Sequence, residues 1–307
     1  MEMRLIAGNS NMTLAEEIAR HSGIPLTKQI LKKFSDGETY VQISENIRGD
    51  DVFVIQSICS PVNDNLVELL IIMDALKRAS AARITAVIPY YGYARQDRKS
   101  EAREPITAKL VADMLISAGA HRILAIDLHV PQIQGFFSIP VDEVSAIPLF
   151  SKYLLEKNLP DIVVVATDAG SAKRARSLAK RLNNCPIAII DKRRTIHNQS
   201  EIMSIVGDVD GKNAILIDDI IDTGNSVVSA ANALSTRAKN VFICATHPVF
   251  SGECVAKLES CKASEVIVAN TIPTVHSEKI KVINMAKLLS DVIYNINNNK
   301  SVSELFI

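Results

Sequence analysis

Residues 214–231 read Ala214-Ile215-Leu216-Ile217-Asp218-Asp219-Ile220-Ile221-Asp222-Thr223-Gly224-Asn225-Ser226-Val227-Val228-Ser229-Ala230-Ala231. The order of residue types in this stretch decides the class of fold. An apolar run, 214–217, meets two adjacent acids, Asp218 and Asp219. Two isoleucines follow, then a polar turn, then small and apolar residues at helical spacing. This is the pattern of a buried strand, a tight loop and a helix start, the unit from which parallel α/β sheets are built. Free N–H groups at a helix start, with hydroxyls beside them, form a site for an anion such as phosphate. Carboxylates just ahead of it would repel a phosphate but suit the hydroxyls of a sugar attached to it. Most strand–turn–helix units bind nothing; the acidic pair followed by a third acid, Asp222, sets this one apart. The stretch therefore predicts a sugar-phosphate pocket.

The same rhythm extends in both directions. Upstream, strand-like runs at 4–7, 51–56, 83–89, 122–128, 161–166, 187–190 and 202–206 alternate with helical segments at 13–21, 63–79, 106–118 and 150–156 and a basic-faced helix after Ser171. Downstream come a helix at 227–236, strands at 241–245 and 266–270, and a last helix at 285–295. Strands alternating with helices imply a parallel sheet with ligands at the carboxyl ends of its strands. Several polar segments fall at such ends. Phe34-Ser35-Asp36-Gly37-Glu38 joins an exposed-looking aromatic to two acids, and Asp-Gly is also a strong hairpin signal. Tyr93-Ala94-Arg95-Gln96-Asp97 follows the run 83–89. Asp127 and His129 close the run 122–128 and share a face if the strand continues, because alternate residues point the same way. Thr167-Asp168-Ala169-Gly170-Ser171 before a helix is a second candidate anion site. On that helix Lys173, Arg174, Arg176, Lys180 and Arg181 form a face expected to be mostly solvated. The segment 191–200, which includes Lys192 and Arg194, is basic and without periodicity, the pattern of a lid loop.

The chain has 307 residues, enough for two domains. Its halves share a plan: strand, loop, helix and strand at 52–88 and again at 215–245, with Gln56-Ser57 standing where the second copy has Asp218-Asp219. The expected division is 1–145, 146–298 and a tail, 299–307, that docks on another surface because it starts polar and ends apolar. Lys+Arg and Asp+Glu each number 34, a balance that argues against a nucleic-acid partner. No apolar run of about 18 residues occurs, so no membrane span is expected. The start, Met1-Glu2-Met3-Arg4, lacks a signal-peptide pattern. The five cysteines are never in CxxC spacing, which suits reduced thiols in the cytoplasm.

Several ordered segments together resemble the ribose-phosphate pyrophosphokinase (phosphoribosyl pyrophosphate synthetase) family, class I-like. They are 34–38, 93–97, the run 127–142 beginning Asp127-Leu128-His129-Val130-Pro131-Gln132, Asp168-Ala169-Gly170-Ser171-Ala172-Lys173-Arg174, Asp191-Lys192-Arg193-Arg194, and Ser301-Val302-Ser303 with Leu305-Phe306 in the tail. The resemblance covers nearly the whole chain. It implies two phosphoribosyltransferase-like α/β domains, each a mainly parallel sheet flanked by helices, with ATP on the first and ribose 5-phosphate on the second. The implied enzyme moves the β,γ-diphosphoryl group of ATP to the 1-hydroxyl of ribose 5-phosphate, releasing AMP, with Mg²⁺ as cofactor. Asp222, Thr223, Gly224, Asn225 and Ser226 are implied to hold the 5-phosphate, and Asp218 and Asp219 to face the ribose hydroxyls. Asp168 to Ser171 would line the diphosphate side. Phe34, Asp36, Gly37, Glu38, Arg95 and Gln96 are implied at ATP, His129 and Asp168 at Mg²⁺, and Lys192 and Arg194 as catalytic cations on the lid. The tail and Arg48 resemble those of members that respond to phosphate and ADP and form homohexamers. Three positions depart from the usual pattern: Ser171 replaces a glycine, Gly224-Asn225-Ser226 stands for Ala-Gly-Thr, and Ser100 replaces an acid. A type I phosphoribosyltransferase would use residues 214–231 but leaves Arg95-Gln96 and 127–142 without a role. A non-catalytic regulatory subunit of the same fold has no need of Lys192 and Arg194.

Overall fold

Runs of Val, Ile, Leu and Ala with few polar interruptions become parallel strands buried on both faces. The computed structural model describes residues 1–193 and 202–306. It divides into two units: Met1–Val144 with Thr271–Pro273 and Asn284–Ile307, and Ser145–Asn270 with Thr274–Ile283. The first unit runs β1 (Met3–Ala7), α1 (Met12–Ser22), β2 (Gln29–Lys33), β3 (Thr39–Ile43), β4 (Asp51–Ile55), α2 (Val62–Arg78), β5 (Arg83–Ile88), α3 (Thr107–Ala118), β6 (Arg122–Ile126) and β7 (Val141–Val144). The second runs α4 (Ile147–Glu156), β8 (Ile162–Ala166), α5 (Ala172–Arg181), β9 (Ile187–Arg193), β10 (Ile202–Val206), β11 (Asn213–Ile221), α6 (Asn225–Leu234), β12 (Asn240–Pro248), α7 (Cys254–Ser260), β13 (Glu265–Ala269) and β14 (Ile280–Ile283); the last helix, α8 (Ala286–Asn297), returns to the first unit.

In the first unit the sheet order is β1-β4-β5-β6-β7, every pair parallel, with β2 and β3 forming a separate antiparallel hairpin. One face of the sheet (Ile6, Val52, Val54, Ile84, Ala86, Ile123, Ala125) packs on Leu69, Ile72 and Leu76 of α2 and Val111 and Leu115 of α3. Residues of the other parity, Leu5, Phe53, Val87 and Leu124, are fully buried as well. Each such side chain contributes about 1.5–3 kcal/mol of burial free energy. The second unit has the order β10-β9-β8-β11-β12-β13-β14, parallel except for β9–β10. Val163, Val165, Ala214, Leu216, Val241, Ile243 and Val266 pack there on Val227, Ala230, Ala231 and Leu234 of α6, spaced one helical turn apart.

The two units share one connectivity. β8-β11-β12-β13-β14 repeats β1-β4-β5-β6-β7, with an antiparallel pair between the first helix and the second central strand each time. The echo read from the sequence is thus a repeated topology. Registers align Ile55 with Ile217, since each is the last residue paired with the strand before it (Ala7 and Ala166), so Gln56 and Ser57 correspond to Asp218 and Asp219.

Several elements differ from their sequence-based expectation. α8 sits with the first unit, whereas the expected division at 146–298 places it in the second. Its end is pinned by the buried Asp51, which accepts from Asn297 Nδ2 at 2.9 Å and from Arg83 Nε at 2.7 Å. Arg83 in turn donates to the Ile296 carbonyl at 3.1 Å, and Asn284 Nδ2 donates to Glu17 at 2.8 Å. The tail bonds back to this helix, Lys300 N–H to the Asn295 carbonyl at 2.8 Å and Asn295 Nδ2 to the Ser301 carbonyl at 2.7 Å. β11 runs on to Ile221, so Asp218 and Asp219 are strand residues and not the start of a loop. β9 runs on to Arg193, pairing Lys192 with Met203 and Asp191 with Ser204. β12 runs from Asn240 to Pro248, past the strand expected at 241–245, and β14 adds a strand after the one expected at 266–270. β6 ends at Ile126, and Asp127 has φ 37, so strand alternation does not carry from Asp127 to His129.

Candidate active site

The carboxyl end of the second sheet is built from the strand ends the sequence singled out. β11 outruns β8, which stops at Ala166, so Asp218 lies beyond the last paired residue of its neighbour. Thr167, next after β8, donates its hydroxyl to Asp218 Oδ2 at 2.8 Å. The Ser171 hydroxyl lies 3.1 Å from the Thr167 hydroxyl, accepts from the Asp168 N–H at 3.2 Å and donates to the Asp168 carbonyl at 3.0 Å. Asp168 Oδ1 accepts from the Ser171 N–H at 2.9 Å. The departure at Ser171 thus stitches the loop 167–171 closed on itself and links it to Asp218. Asp219 is buried and faces Arg174 Nη1 at 3.5 Å, so this arginine leaves the solvated face expected of it.

Beyond the acids the chain turns at Gly224, whose φ of 77 caps α6. Val228 N–H is the first of this helix to reach back, to the Gly224 carbonyl at 2.9 Å, so the N–H groups of Asn225, Ser226 and Val227 precede the helical ladder. Thr223, Asn225 and Ser226 are exposed beside them. The structure therefore brings Asp218, Asp219, Asp222, the 223–226 turn and Asp168 to one edge of one sheet. Carboxylates, hydroxyls and free N–H groups there match a polyol carrying an anion.

Burial and the adjacent charge of Asp219 push the Asp218 carboxyl up to about 7. A carboxyl that takes a proton more readily folded than unfolded stabilises the fold less as pH rises from near 4 to near 7. Asp218→Asn is therefore expected to stabilise the unliganded protein relative to wild type at pH 8 by an amount on the order of 2–4 kcal/mol, and by much less at pH 4.5. Denaturant titrations at the two pH values measure the difference; equal gains at both would contradict the shift.

The corresponding edge of the first unit is filled. Glu68, buried, accepts from Asn9 N–H and Nδ2, both at 2.7 Å, and from Gln56 Nε2 at 2.9 Å. Gln56 Oε1 accepts from Ser10 N–H at 3.0 Å, and the Ser57 N–H donates to the Ser10 hydroxyl at 2.8 Å. Where the second unit has the carboxylates of Asp218 and Asp219, the first has an amide and a hydroxyl side chain bonded into their own surroundings, Gln56 to Glu68 and Ser10 and Ser57 to the Thr271 carbonyl.

The first unit instead presents the segments 34–38 and 93–96. Phe34 to Glu38 closes the β2–β3 hairpin: Phe34 N–H donates to the Glu38 carbonyl at 2.8 Å, and Gly37, at φ 96, to the Phe34 carbonyl at 3.0 Å. The hairpin reading and the site reading of this segment are compatible. Phe34 is 48% exposed with its edge on Tyr40, centroids 5.5 Å apart. Asp36 Oδ1 accepts from the Glu38 N–H at 3.1 Å. Gln96 is held by Thr107, whose hydroxyl donates to Gln96 Oε1 at 2.6 Å, and Arg95 beside it is exposed. Lys33 pairs with Asp64 and Tyr93 bonds to Asn63, so both segments are moored to the first turn of α2.

His129 lies in the first unit and Asp168 in the second, so neither unit alone holds both. Among the described residues no group of three or more His, Cys, Asp or Glu side chains could hold a metal. Mg²⁺ keeps several waters and takes one or two carboxylates plus substrate phosphates, so the exposed Asp168 carboxylate fits it without a prebuilt cage. Lys192 is described only as a backbone position in β9, and Arg194 and the rest of the expected lid, 194–200, lie outside the described residues. The sequence pattern does not single out Glu68 or Lys257, which donates to Asn225, and it names Thr167 and Arg174 without their carboxylate partners, because strand register and helix packing bring these groups together over long separations.

A family model described as the N-terminal domain of ribose phosphate pyrophosphokinase matches residues 3–119, and one described as a phosphoribosyl synthetase-associated domain matches 193–307. The chain is 54% identical to ribose-phosphate pyrophosphokinase of Bacillus caldolyticus over 99% of its own length and 98% of that protein's. It is 52% identical to the one of Nostoc sp., covering 99% of this chain and 93% of that one. The crystal structure of phosphoribosylpyrophosphate synthetase from Mycobacterium smegmatis superposes with a TM-score of 0.93 at 43% identity, over 97% of this chain and all of that one.

Proposed function

The chain belongs to the ribose-phosphate pyrophosphokinase family, and we propose how its residues divide the work of that reaction. It is a diphosphoryl transferase: the β,γ-diphosphoryl group of ATP passes to the 1-hydroxyl of ribose 5-phosphate, giving 5-phosphoribosyl 1-pyrophosphate and AMP. The observation that carries this is identity of 52–54% along the full chain with three curated members.

Asp218 and Asp219 receive the ribose hydroxyls, and Asp222, Thr223, Gly224, Asn225 and Ser226 receive the 5-phosphate. Support comes from the strand-end carboxylates and the open N–H groups of α6. Asp168 to Ser171 line the diphosphate side. Phe34 stacks on adenine, with Asp36, Gly37, Glu38, Arg95 and Gln96 around the nucleotide. Lys192 and Arg194 carry the positive charge that meets charge spreading over the transferred group. Phosphoryl transfer depends mainly on such alignment and electrostatic stabilisation, and closure over the substrates limits loss of the group to water. Mg²⁺ would be held by Asp168, with His129 touching phosphate or orienting water, and would neutralise phosphate charge. No helix among the described residues is long and apolar enough to cross a membrane. Free thiols at all five cysteines suit the cytoplasm. Exposed Val67 and Leu110 suit burial in a homohexamer, with phosphate and ADP as regulators.

Two incubations separate this reading from a type I phosphoribosyltransferase. With ATP, Mg²⁺ and ribose 5-phosphate, AMP is expected; with 5-phosphoribosyl 1-pyrophosphate and a free purine base, no nucleotide is expected. The reverse pattern would assign the transferase. For the nucleotide side, Phe34→Ala is expected to raise KM for ATP about tenfold and leave KM for ribose 5-phosphate unchanged, since base–aromatic stacking is worth roughly 1–3 kcal/mol. An unchanged KM for ATP would remove Phe34 from the site.

A further inference from the structure

The turn assigned to the 5-phosphate contains no cation. Asp222-Thr223-Gly224-Asn225-Ser226 carries one acid, and Asp218 and Asp219 precede it. A phosphate monoester brings between one and a half and two negative charges at neutral pH, and a helix N-terminus offers only about half a positive charge. Arg174, near the acids, faces Asp219.

We propose that Lys257 supplies the positive charge of the 5-phosphate site, an inference that rests on the reading of residues 222–226 as the phosphate turn. Lys257 lies on α7 and donates from Nζ to Asn225 Oδ1 at 2.9 Å, at the first residue of α6. One of its three N–H bonds is used in this way, which leaves two for an anion. Asn225, accepting through its oxygen, keeps its amide N–H₂ for a second acceptor. The mount is firm: Ser251 N–H donates to the Asp222 carbonyl at 3.0 Å, Phe250 N–H to the Ile221 carbonyl at 3.0 Å, and Cys254 N–H to the Ser251 carbonyl at 3.3 Å. Cys254 lies beneath Gly224, its sulfur 2.8 Å from where a Cβ on that glycine would be. Burial and the charge of Asp222 push the Cys254 thiol up, and the charge of Lys257 eases it down. Residues 250–257 thus form a second wall of the turn, and Lys257 places a compact, flexible point charge at its rim.

Steady-state kinetics on the full chain test this with Lys257→Ala, Lys257→Gln and Lys257→Arg, and with Thr223→Val as a probe of the turn itself. Lys257→Ala and Lys257→Gln are expected to raise KM for ribose 5-phosphate about ten- to thirtyfold, with kcat and KM for ATP within about twofold of wild type. Lys257→Arg is expected to restore KM to within about threefold, and melting temperatures to stay unchanged. Thr223→Val is expected to raise the same KM. If Thr223→Val raises KM and the Lys257 variants do not, the inference fails and the turn stands. If Thr223→Val leaves KM unchanged, the reading of the turn fails and the inference with it. A Lys257→Ala variant that loses kcat and melting temperature together, without rescue by arginine, shows a structural part only and overturns the proposal.

Discussion

Lys192→Ala is expected to lower turnover by about two to three orders of magnitude while the affinity for ribose 5-phosphate stays within about twofold. The transferred diphosphoryl group gains charge on its oxygens in the transition state, and a cation meeting that charge in a closed site stabilises it by several kcal/mol more than it stabilises the ground state. Loss of one such group typically costs about 10²–10³ in turnover. The position makes the result readable. Lys192 contributes to the β9–β10 ladder opposite Met203, and alanine keeps every backbone group of that ladder, so the fold has no reason to fail. A melting curve and a ribose 5-phosphate binding isotherm establish that the variant is intact, and kcat then reports the chemistry. Turnover equal to wild type would remove Lys192 from catalysis, and a rise in KM alone would make it a binding residue.

Gly224→Ala is expected to produce the largest effect on the sugar-phosphate side. Gly224 has φ 77, a conformation that costs an L-residue about 1–2 kcal/mol. An added Cβ would lie 2.8 Å from Cys254 Sγ, and overpacking of this kind costs about 1–3 kcal/mol. Together these predict a loss of about 2–5 kcal/mol from the second unit, seen as a fall in melting temperature of roughly 5–15 °C. The N–H groups of α6 start from this residue, so KM for ribose 5-phosphate is expected to rise more than tenfold. The double variant Gly224→Ala/Cys254→Ala separates the causes: it relieves the contact with sulfur and leaves the backbone strain, so part of the stability returns. A single variant that melts with wild type would contradict both contributions.

Much of this architecture could be read from residue order because parallel strands buried on both faces are near-continuous apolar runs. Residues 51–55, 83–88 and 162–166 announce themselves in this way. Strand ends were harder where polar residues belong to the ladder. Asp218 and Asp219 looked like the start of a loop, yet β12 pairs with β11 beyond them, Ile220 opposite His247. Asp191 to Arg193 looked like a lid, yet β10 supplies their partners. Both pairings are set by register with distant residues, which no local pattern contains. α8 illustrates the same limit for packing: it follows the second unit's strands in sequence, but the buried Asp51 and Arg83 hold its end in the first. At the site, hydroxyl and carboxylate types at 218–226 pointed to a sugar phosphate from composition alone. The long-range partners of those groups, Thr167, Arg174 and Lys257, followed only from the fold.

The central claim, that this chain transfers a diphosphoryl group to ribose 5-phosphate, is tested most directly by following ATP labelled on its γ-phosphorus. The purified chain is incubated with labelled ATP, Mg²⁺ and ribose 5-phosphate across a range of inorganic phosphate. The predicted result is label in 5-phosphoribosyl 1-pyrophosphate with one AMP released per molecule formed, dependent on the sugar phosphate. Absence of AMP at every phosphate concentration, or label released as free phosphate with ADP, would contradict it.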